Sequence, residues 1–325
     1  MVALPSSLTW RFLFTAVGIS SCISLLWFFR EGSIPLRYES IVHYSAVGRD
    51  RPLVLYAYAE SESARENLQF FLAQGIHGAA DFIFIFNGET DAKDLVPTSH
   101  DNIRVVQRDN TCFDLGSMGE VLRQDDLWKK YKRFITMNAS IRGPFLPIYD
   151  SSTCWTDVFL GRLTDRVKMV GTTINCEPAP HLQSMLWAMD EVGMSILLDP
   201  ALAHSVPVKD GWGSEDTPVG MSFCHETMLQ AVHTEIGSTR LILSQGYEVD
   251  ALMTAYASSN STQDYCEHGQ FEDVLYNDRY YGTNVHPYEL VFIKSNRNID
   301  PTLLAKMTEW HLGSGISSWD SCKAL

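Results

Sequence analysis

Two short runs in this chain, LVLYAY (Leu53–Tyr58) and FIFIF (Phe82–Phe86), have no charged or amide position at all. A strand with one wet face alternates polar and apolar residues, whereas a strand covered on both faces does not. The two runs therefore point to a parallel sheet flanked by helices, and the segment between them fits a crossover. Ser61–Gln74 places Ala64, Leu68, Phe71 and Leu72 at helical spacing and stops at Gly75. NIRVVQR (Asn102–Arg108) and RFITMN (Arg133–Asn138) read as the third and fourth strands. Leu115–Leu122 is helical between them, with amphipathic character continuing towards Tyr131. Val167–Thr172, Met194–Asp199 (MSILLD) and Glu289–Lys294 are read as later strands, and His225–Gln245 as a long helical region with a breaking point at Gly237. From Asp300 a short helix and an irregular end are expected. Strand–helix alternation of this kind predicts an α/β fold with a mostly parallel sheet. The stretch 203–220, rich in Pro, Gly and Asp, is long for a connection and reads as a substrate-facing lid.

The net charge of −14, with no block of basic residues, excludes nucleic acid as an expected partner, because neutralising phosphates needs a basic footprint. Phe12–Phe29 carries no charge and is bracketed by Arg11 and Arg30. It is just long enough to span a bilayer as a helix. It exceeds the apolar core of a signal peptide, and no small-x-small cleavage site follows, so an uncleaved anchor is expected. The plan is a short tail (1–11), a transmembrane anchor (12–29), a stem (30–51), a folded domain (52–299) and a C-terminal tail (300–325). Of seven cysteines, six lie beyond the anchor and none forms a CxxC pair, which argues against a zinc ribbon or a redox dithiol. If this part is lumenal, up to three disulfides can form; buried free thiols are the alternative. Asn260-Ser-Thr lies in a polar run and is the expected glycosylation site, whereas the sequon at Asn138 follows an apolar strand and is expected to be inaccessible.

Ligands of open parallel sheets bind outside the carboxyl ends of the strands. Here those ends read Tyr58-Ala-Glu60, Asn87-Gly88, Arg108-Asp-Asn110 and Asn138-Ala-Ser140, all of which should converge on one cleft. Asn138 and Ser140, two residues apart, point the same way. Arg142 follows them, and a guanidinium grips phosphate in bidentate fashion. The elbow GxSxG, a P-loop and HExxH are all absent; His225-Glu226 lacks a second histidine because Leu229 stands at that position.

Four stretches, RDNTCFDLGSMGEVL (Arg108–Leu122), FITMNASIRGPFLP (Phe134–Pro147), HTEIGSTRLILSQGYEVDAL (His233–Leu252) and YYGTNVHPYELVFIKSNR (Tyr280–Arg297), together resemble GT-A-type glycosyltransferases, in particular the rhamnan-synthesis F-type and family-2-like enzymes. The resemblance implies a GT-A-like fold over roughly Leu53–Lys294 and a nucleotide-sugar donor laid across the strand ends. Asn110 and Asp114 match an Asn followed by Asp, a hydrophobe and a small residue opening a helix; a simple N-cap role is the other reading of Asp114. Asn138 and Ser140 occupy the place of the usual Asp-x-Asp, so a divalent cation (Mn or Mg) is allowed by the resemblance and not supported by the motif. Glu235 falls where the first acid of a catalytic pair sits, and Ile236 stands where the base is normal. Glu235 as base then implies inverting transfer; a solvated helix residue is the bland alternative. His286 and Lys294 loosely match a late His and a following basic residue near the donor, with His286 the one weak metal candidate. Tyr58 and Glu60 sit where the nucleoside is received. The implied protein is a membrane-anchored glycosyltransferase of the Golgi or ER, with a lumenal domain acting on a glycan or glycoconjugate. A non-catalytic, glycan-binding or scaffolding member of the same fold is the alternative, favoured by Ile236 and the missing acids.

Overall fold

The computed structural model describes residues 51–150, 152–206, 210–214, 216–269 and 272–322. The expected anchor and nearly all of the stem lie outside them, and among the described residues no helix is long and apolar enough to cross a membrane. The first half runs β1 (Leu53–Ala59), α1 (Glu62–Gln74), β2 (Asp81–Asn87), β3 (Ile103–Arg108), α2 (Phe113–Arg123), β4 (Arg133–Asn138) and β5 (Ile141–Arg142). It continues with α3 (Trp155–Leu160), β6 (Val167–Gly171), β7 (Ile174–Asn175), β8 (His181–Leu182), β9 (Leu186–Asp190), α4 (Glu191–Leu198) and α5 (Met228–Ser244). The last part holds β10 (Glu248–Ala251), α6 (Thr262–His268), α7 (Pro287–Leu290), β11 (Ile293–Lys294), α8 (Pro301–Gly313) and α9 (Ser318–Ser321).

Seven strands form one sheet in the order β10-β6-β9-β4-β1-β2-β3. Every neighbouring pair is parallel except those of β9, which runs against β4 and β6. The connection from β6 to β9 contains only the small β7–β8 hairpin, which is enough for an antiparallel neighbour and carries no crossover helix. This mostly parallel sheet with flanking helices is the α/β architecture expected. β1 and β2 are buried over nearly their whole length, as their unbroken apolar runs require. Phe71 on α1 is the hub of the helix–sheet contact: its ring stacks on Tyr56 at 5.1 Å and meets Trp155 and Phe292 at 5.9 and 6.2 Å.

Several expectations need correction. MSILLD is the body of α4, not a strand. Asp190 caps it, its Oδ1 accepting from the N–H groups of Val192 and Gly193. A helix buried almost all round shows the same apolar run as a buried strand, so pattern alone misassigns it. The neighbouring strand is LWAMD, immediately before. α5 is continuous through Gly237. ELVFIK splits into the end of α7 and the two-residue β11, with Val291 at φ 65° between them. The C-terminal helix α8 spans 13 residues, longer than expected, with Pro301 in its first turn and the Asp300 side chain accepting from Leu303 N–H. Residues 124–130 continue from α2 only as a 3₁₀ stretch broken at Asp125 and Asp126. The described parts of 203–220 contain no helix or strand.

All six cysteines beyond the span are paired: Cys112–Cys224, Cys154–Cys322 and Cys176–Cys266. The first fixes the start of α2 to the segment 221–225, and two glycines allow the approach. A Cβ on Gly119 would lie 1.8 Å from the Met221 carbonyl oxygen, and one on Gly116 would lie 3.0 Å from that of Phe223. Gly119→Ala is therefore expected to destabilise the protein by about 1–3 kcal/mol or more, since backbone cannot yield as a side-chain tip can. Gly313→Ala, where nothing lies within 4 Å, is expected to be neutral or slightly stabilising. Urea unfolding of the two variants checks this, and equal midpoints would refute the close-packing account.

Candidate active site

The carboxyl ends of β1, β2 and β3 are level, and β4 ends two residues below them. Ala59 pairs with Asn87, Asn87 with Arg108, and Ala57 with Asn138. Part of this polar edge is consumed in bracing the fold. Asn87 Nδ2 donates to the Tyr58 carbonyl at 3.1 Å. The buried Arg108 donates to Asn87 Oδ1, to the carbonyls of Asp109 and Thr111, and to Glu120. This bracing holds the β3–α2 turn, where Cys112 and Phe113 have positive φ.

Asp114 lies in the first turn of α2. Its Oδ1 accepts from Leu115 N–H at 3.0 Å, and its Oδ2 accepts from Asn138 Nδ2 at 2.5 Å. Asn138 Oδ1 accepts in turn from the Ser140 N–H and hydroxyl, at 3.1 and 2.5 Å. The helix start and the end of β4 are thus locked through one carboxylate and one amide. Asp114 is not the helix cap: Cys112 holds that position. The Asn138 amide donates to Asp114 and is half-buried, whereas Asn260, whose amide donates to Asp264, is exposed.

The opposite wall comes from the second half of the chain. Asn138 N–H donates to the Met185 carbonyl, and one residue earlier Ser184 N–H donates to Glu235 Oε1 at 2.6 Å. Glu235 projects from α5, which rests on β8 through Leu182 N–H donating to Thr239 Oγ1 at 2.9 Å. Glu235 Oε2 has no hydrogen-bond partner among the described residues. Farther along α5, His233 is fully buried against Asp210 (Nδ1–Oδ2, 2.8 Å), which ties this helix to the loop expected to be a lid.

β11 pairs with β5, so Lys294 lies opposite Ile141, and Ser295 N–H donates to the Ser140 carbonyl at 3.0 Å. Lys294 is half-buried, and its ammonium has no hydrogen bond or ion pair among the described residues. Burial holds its pKa below the usual lysine value; the carboxylates of Glu235, Asp114 and Asp273 oppose that shift, and Arg297 adds to it. The ammonium is thus kept partly dry, near carboxylates and without a direct partner.

Of the expected site residues, Asp114, Asn138, Ser140, Glu235 and Lys294 are brought together. Others are placed elsewhere. The Tyr58 ring is fully buried on Phe86 at 5.1 Å, so it cannot stack on a base; its hydroxyl donates to Glu60. Glu60 stays at the edge, but its oxygens serve Arg65, Thr90 and Tyr58. The Arg65 hydrogen bonds first, and those of Thr90 and Tyr58 after them, hold its carboxyl down at about 2 against some desolvation. Asn110 is exposed at the same edge and joins none of these bonds. Arg142 is 8% exposed and turned away from the cleft's polar chain: it donates to Asn67, Glu66 and Thr308, bracing β5 against α1 and α8. Its expected role on diphosphate is corrected to that of a strut. His286 caps α7, its Nδ1 accepting from Tyr288 N–H at 3.1 Å.

Asn138, Ser140 and Asp114 do not by themselves fit a divalent cation. Such an ion needs several oxygen ligands, preferably anionic. Asn138 Oδ1 is taken twice by Ser140, and both Asp114 oxygens already accept hydrogen bonds. A second cluster, His77 with Cys154 and Cys322, is excluded as a metal site because the two sulfurs are bonded to each other. Burial holds His77 neutral, its pKa pushed down to about 3.

Sequence reasoning missed Gln183, Ser184 and Asp273. Gln183 Nε2 donates to Asp273 Oδ1 at 3.2 Å, beside the Ser184 N–H that anchors Glu235. The run CEPAPHLQS has no periodicity, and Ser184 acts through its backbone, which no side-chain pattern reveals.

No family model matches the chain, and no curated protein does. Among solved structures it is similar to a mannosyltransferase from Pyrobaculum calidifontis in complex with GDP-Man and Mn²⁺, at 13% identity and a TM-score of 0.38, covering 74% of this chain and 64% of that one. It is similar to a 4-diphosphocytidyl-2C-methyl-D-erythritol synthase at 13% identity and a TM-score of 0.33 (62% of this chain, 88% of that one). It is also similar to a cytidylyltransferase from Leptospira borgpetersenii serovar Hardjo-bovis at 10% identity and a TM-score of 0.26 (46% and 63%). The chain thus spans less than two thirds of the mannosyltransferase's length. At these identities and scores the likenesses carry nothing about activity.

The lowered Lys294 pKa has a consequence for stability. Between its folded and unfolded values the unfolded chain binds the extra proton, so the Lys294 contribution to stability rises with pH across that window. Lys294→Met is expected to remove this rise. Urea midpoints of wild type and variant compared from pH 7 to 10 check it; parallel curves would contradict the placement of Lys294.

Proposed function

We propose that this chain is a glycosyltransferase that moves a sugar from a nucleotide-sugar donor to a hydroxyl of a glycan or glycoconjugate, with inversion. One observation carries the reading: separate segments deliver Asp114, Asn138 with Ser140, Glu235 and Lys294 to the carboxyl ends of the parallel strands. Glu235 is the base. Ser184 N–H holds one of its oxygens and leaves the other to take the proton of the attacking hydroxyl. The acceptor oxygen bonds the anomeric carbon as the bond from that carbon to the diphosphate oxygen breaks. The charge released on the diphosphate is met by Lys294 and by the amino end of α2, beside Asp114 and Asn138. No step is routed through a metal ion.

Three disulfides joining distant segments support an oxidising compartment, and with it the proposal of a lumenal domain anchored through residues 12–29 in the Golgi or ER. The second reading, a non-catalytic glycan-binding or scaffolding protein, is favoured by Ile236, which is fully buried and supplies no second acid.

Purified protein is expected to gain thermal stability with a nucleoside diphosphate, and the gain is expected not to depend on Mn²⁺. Lys294→Met should lose most of that gain while the response to the bare nucleoside is unchanged. Glu235→Gln keeps the Ser184 hydrogen bond and should retain donor binding while transfer falls by about 10²–10⁴-fold. Absence of any nucleotide response would end the transferase reading; transfer intact in Glu235→Gln would end the base assignment alone.

A further inference from the structure

Beside the cleft lies an open pocket of about 560 Å³, walled by Glu177, Asp273, Tyr276, Arg297 and Asn298. We propose that it is the subsite for an uncharged, hydroxyl-rich glycan. Naming that glycan the acceptor rests on Glu235 being the base; the binding chemistry of the pocket does not.

The first support is Tyr276. Its ring is 46% exposed, although it lines a concavity, and the Arg297 guanidinium lies 4.5 Å from its centroid. A cation over the ring fixes its orientation. The ring is thereby presented as a firm apolar platform within a polar rim, the arrangement that suits a ligand with C–H groups on one face and hydroxyls at its edges.

Charge decides which such ligands fit. The pocket's two guanidiniums are already engaged: Arg279 pairs with Glu272, and Arg297 pairs with Asp273 at 3.6 Å while also covering Tyr276. Each is thus countered by a carboxylate, and with Glu177 the lining carries three carboxylates against two guanidiniums. The Glu177 carboxylate is exposed and has no side-chain partner among the described residues, and the exposed Asn298 amide lies in the same wall. A carboxylate accepts hydrogen bonds from neighbouring hydroxyls and repels sialyl, sulfo and phosphoryl groups.

The pocket is also built onto the site. Asp273 Oδ1, in its wall, accepts from Gln183 Nε2, and the next residue, Ser184, holds Glu235 through its backbone N–H. Two consecutive residues therefore carry both the pocket wall and the base. The Cys176–Cys266 disulfide fastens the turn bearing Glu177 to α6.

The test is an array of neutral and acidic oligosaccharides probed with the full chain, beside nucleoside diphosphate thermal shifts on the same preparations. The wild type is expected to capture a subset of the neutral glycans. Tyr276→Ala should lower that signal about tenfold, and Tyr276→Phe, which keeps the ring, should retain it. Glu177→Gln should weaken capture less and relax the exclusion of acidic glycans. All three variants should keep the wild-type nucleotide shift, which separates lost binding from lost folding. The proposal is overturned if no glycan is captured, if only acidic glycans are, or if Tyr276→Ala captures as well as wild type. Glycan capture with no nucleotide shift in the wild type would leave this subsite standing and remove the transferase reading instead.

Discussion

The burial of β1, β2 and β4 on both faces is the constraint from which most else follows. Strands without a polar side chain to spare must be covered by helices above and below, and parallel neighbours need long crossovers that supply those helices. Polar groups can then emerge only where the strands stop. Register therefore sets Asn87 and Arg108 at one level, Tyr58 one residue below them and Asn138 two, whatever each does there. Some of them close the edge on itself, and what is left open lies between β4, α2, α5 and β11.

Within that opening the distribution of charge is unusual for a site that would receive a diphosphate. The end of β4 carries an amide and a hydroxyl, and the nearest carboxylate, Asp114, is committed to Asn138 and to its own helix. The cation of the opening comes from the later part of the chain. Lys294 arrives through a two-residue strand paired with β5, so the turn that follows β4 and the positive group are parts of one small antiparallel unit. Arg142, on that same unit, faces α1 and α8 and keeps it in place.

How much of this was legible in the sequence varied with the kind of signal. The first four strands were legible because each apolar run is bounded by turn residues at strand length. MSILLD was not, because a helix enclosed on most sides and a strand covered on two write the same letters. Glu235 was singled out through its place before Gly246-Tyr247, and in the structure its carboxylate accepts from the Ser184 N–H. Tyr58 and Arg142 were misread for one reason: residue type was known and side-chain direction was not. After β4 the chain turns through Gly143–Pro144, and its direction there depends on β11, more than a hundred residues away in sequence. Ser184 was invisible because its contribution is a backbone N–H.

Cys154–Cys322 joins α3 to the residue just after α9, across a sequence separation of 168. During synthesis Cys154 emerges long before its partner and must wait as a thiol until almost the whole domain has followed. In the folded protein Cys154 Sγ sits 4.0 Å from the buried His77 Nε2, in a pocket closed to solvent. Without Cys322 the Cys154 sulfur would have no partner at this position. The bond closes a covalent loop around α3 to α9, so the helices α8 and α9 stay joined to the middle of the chain even where their noncovalent contacts open.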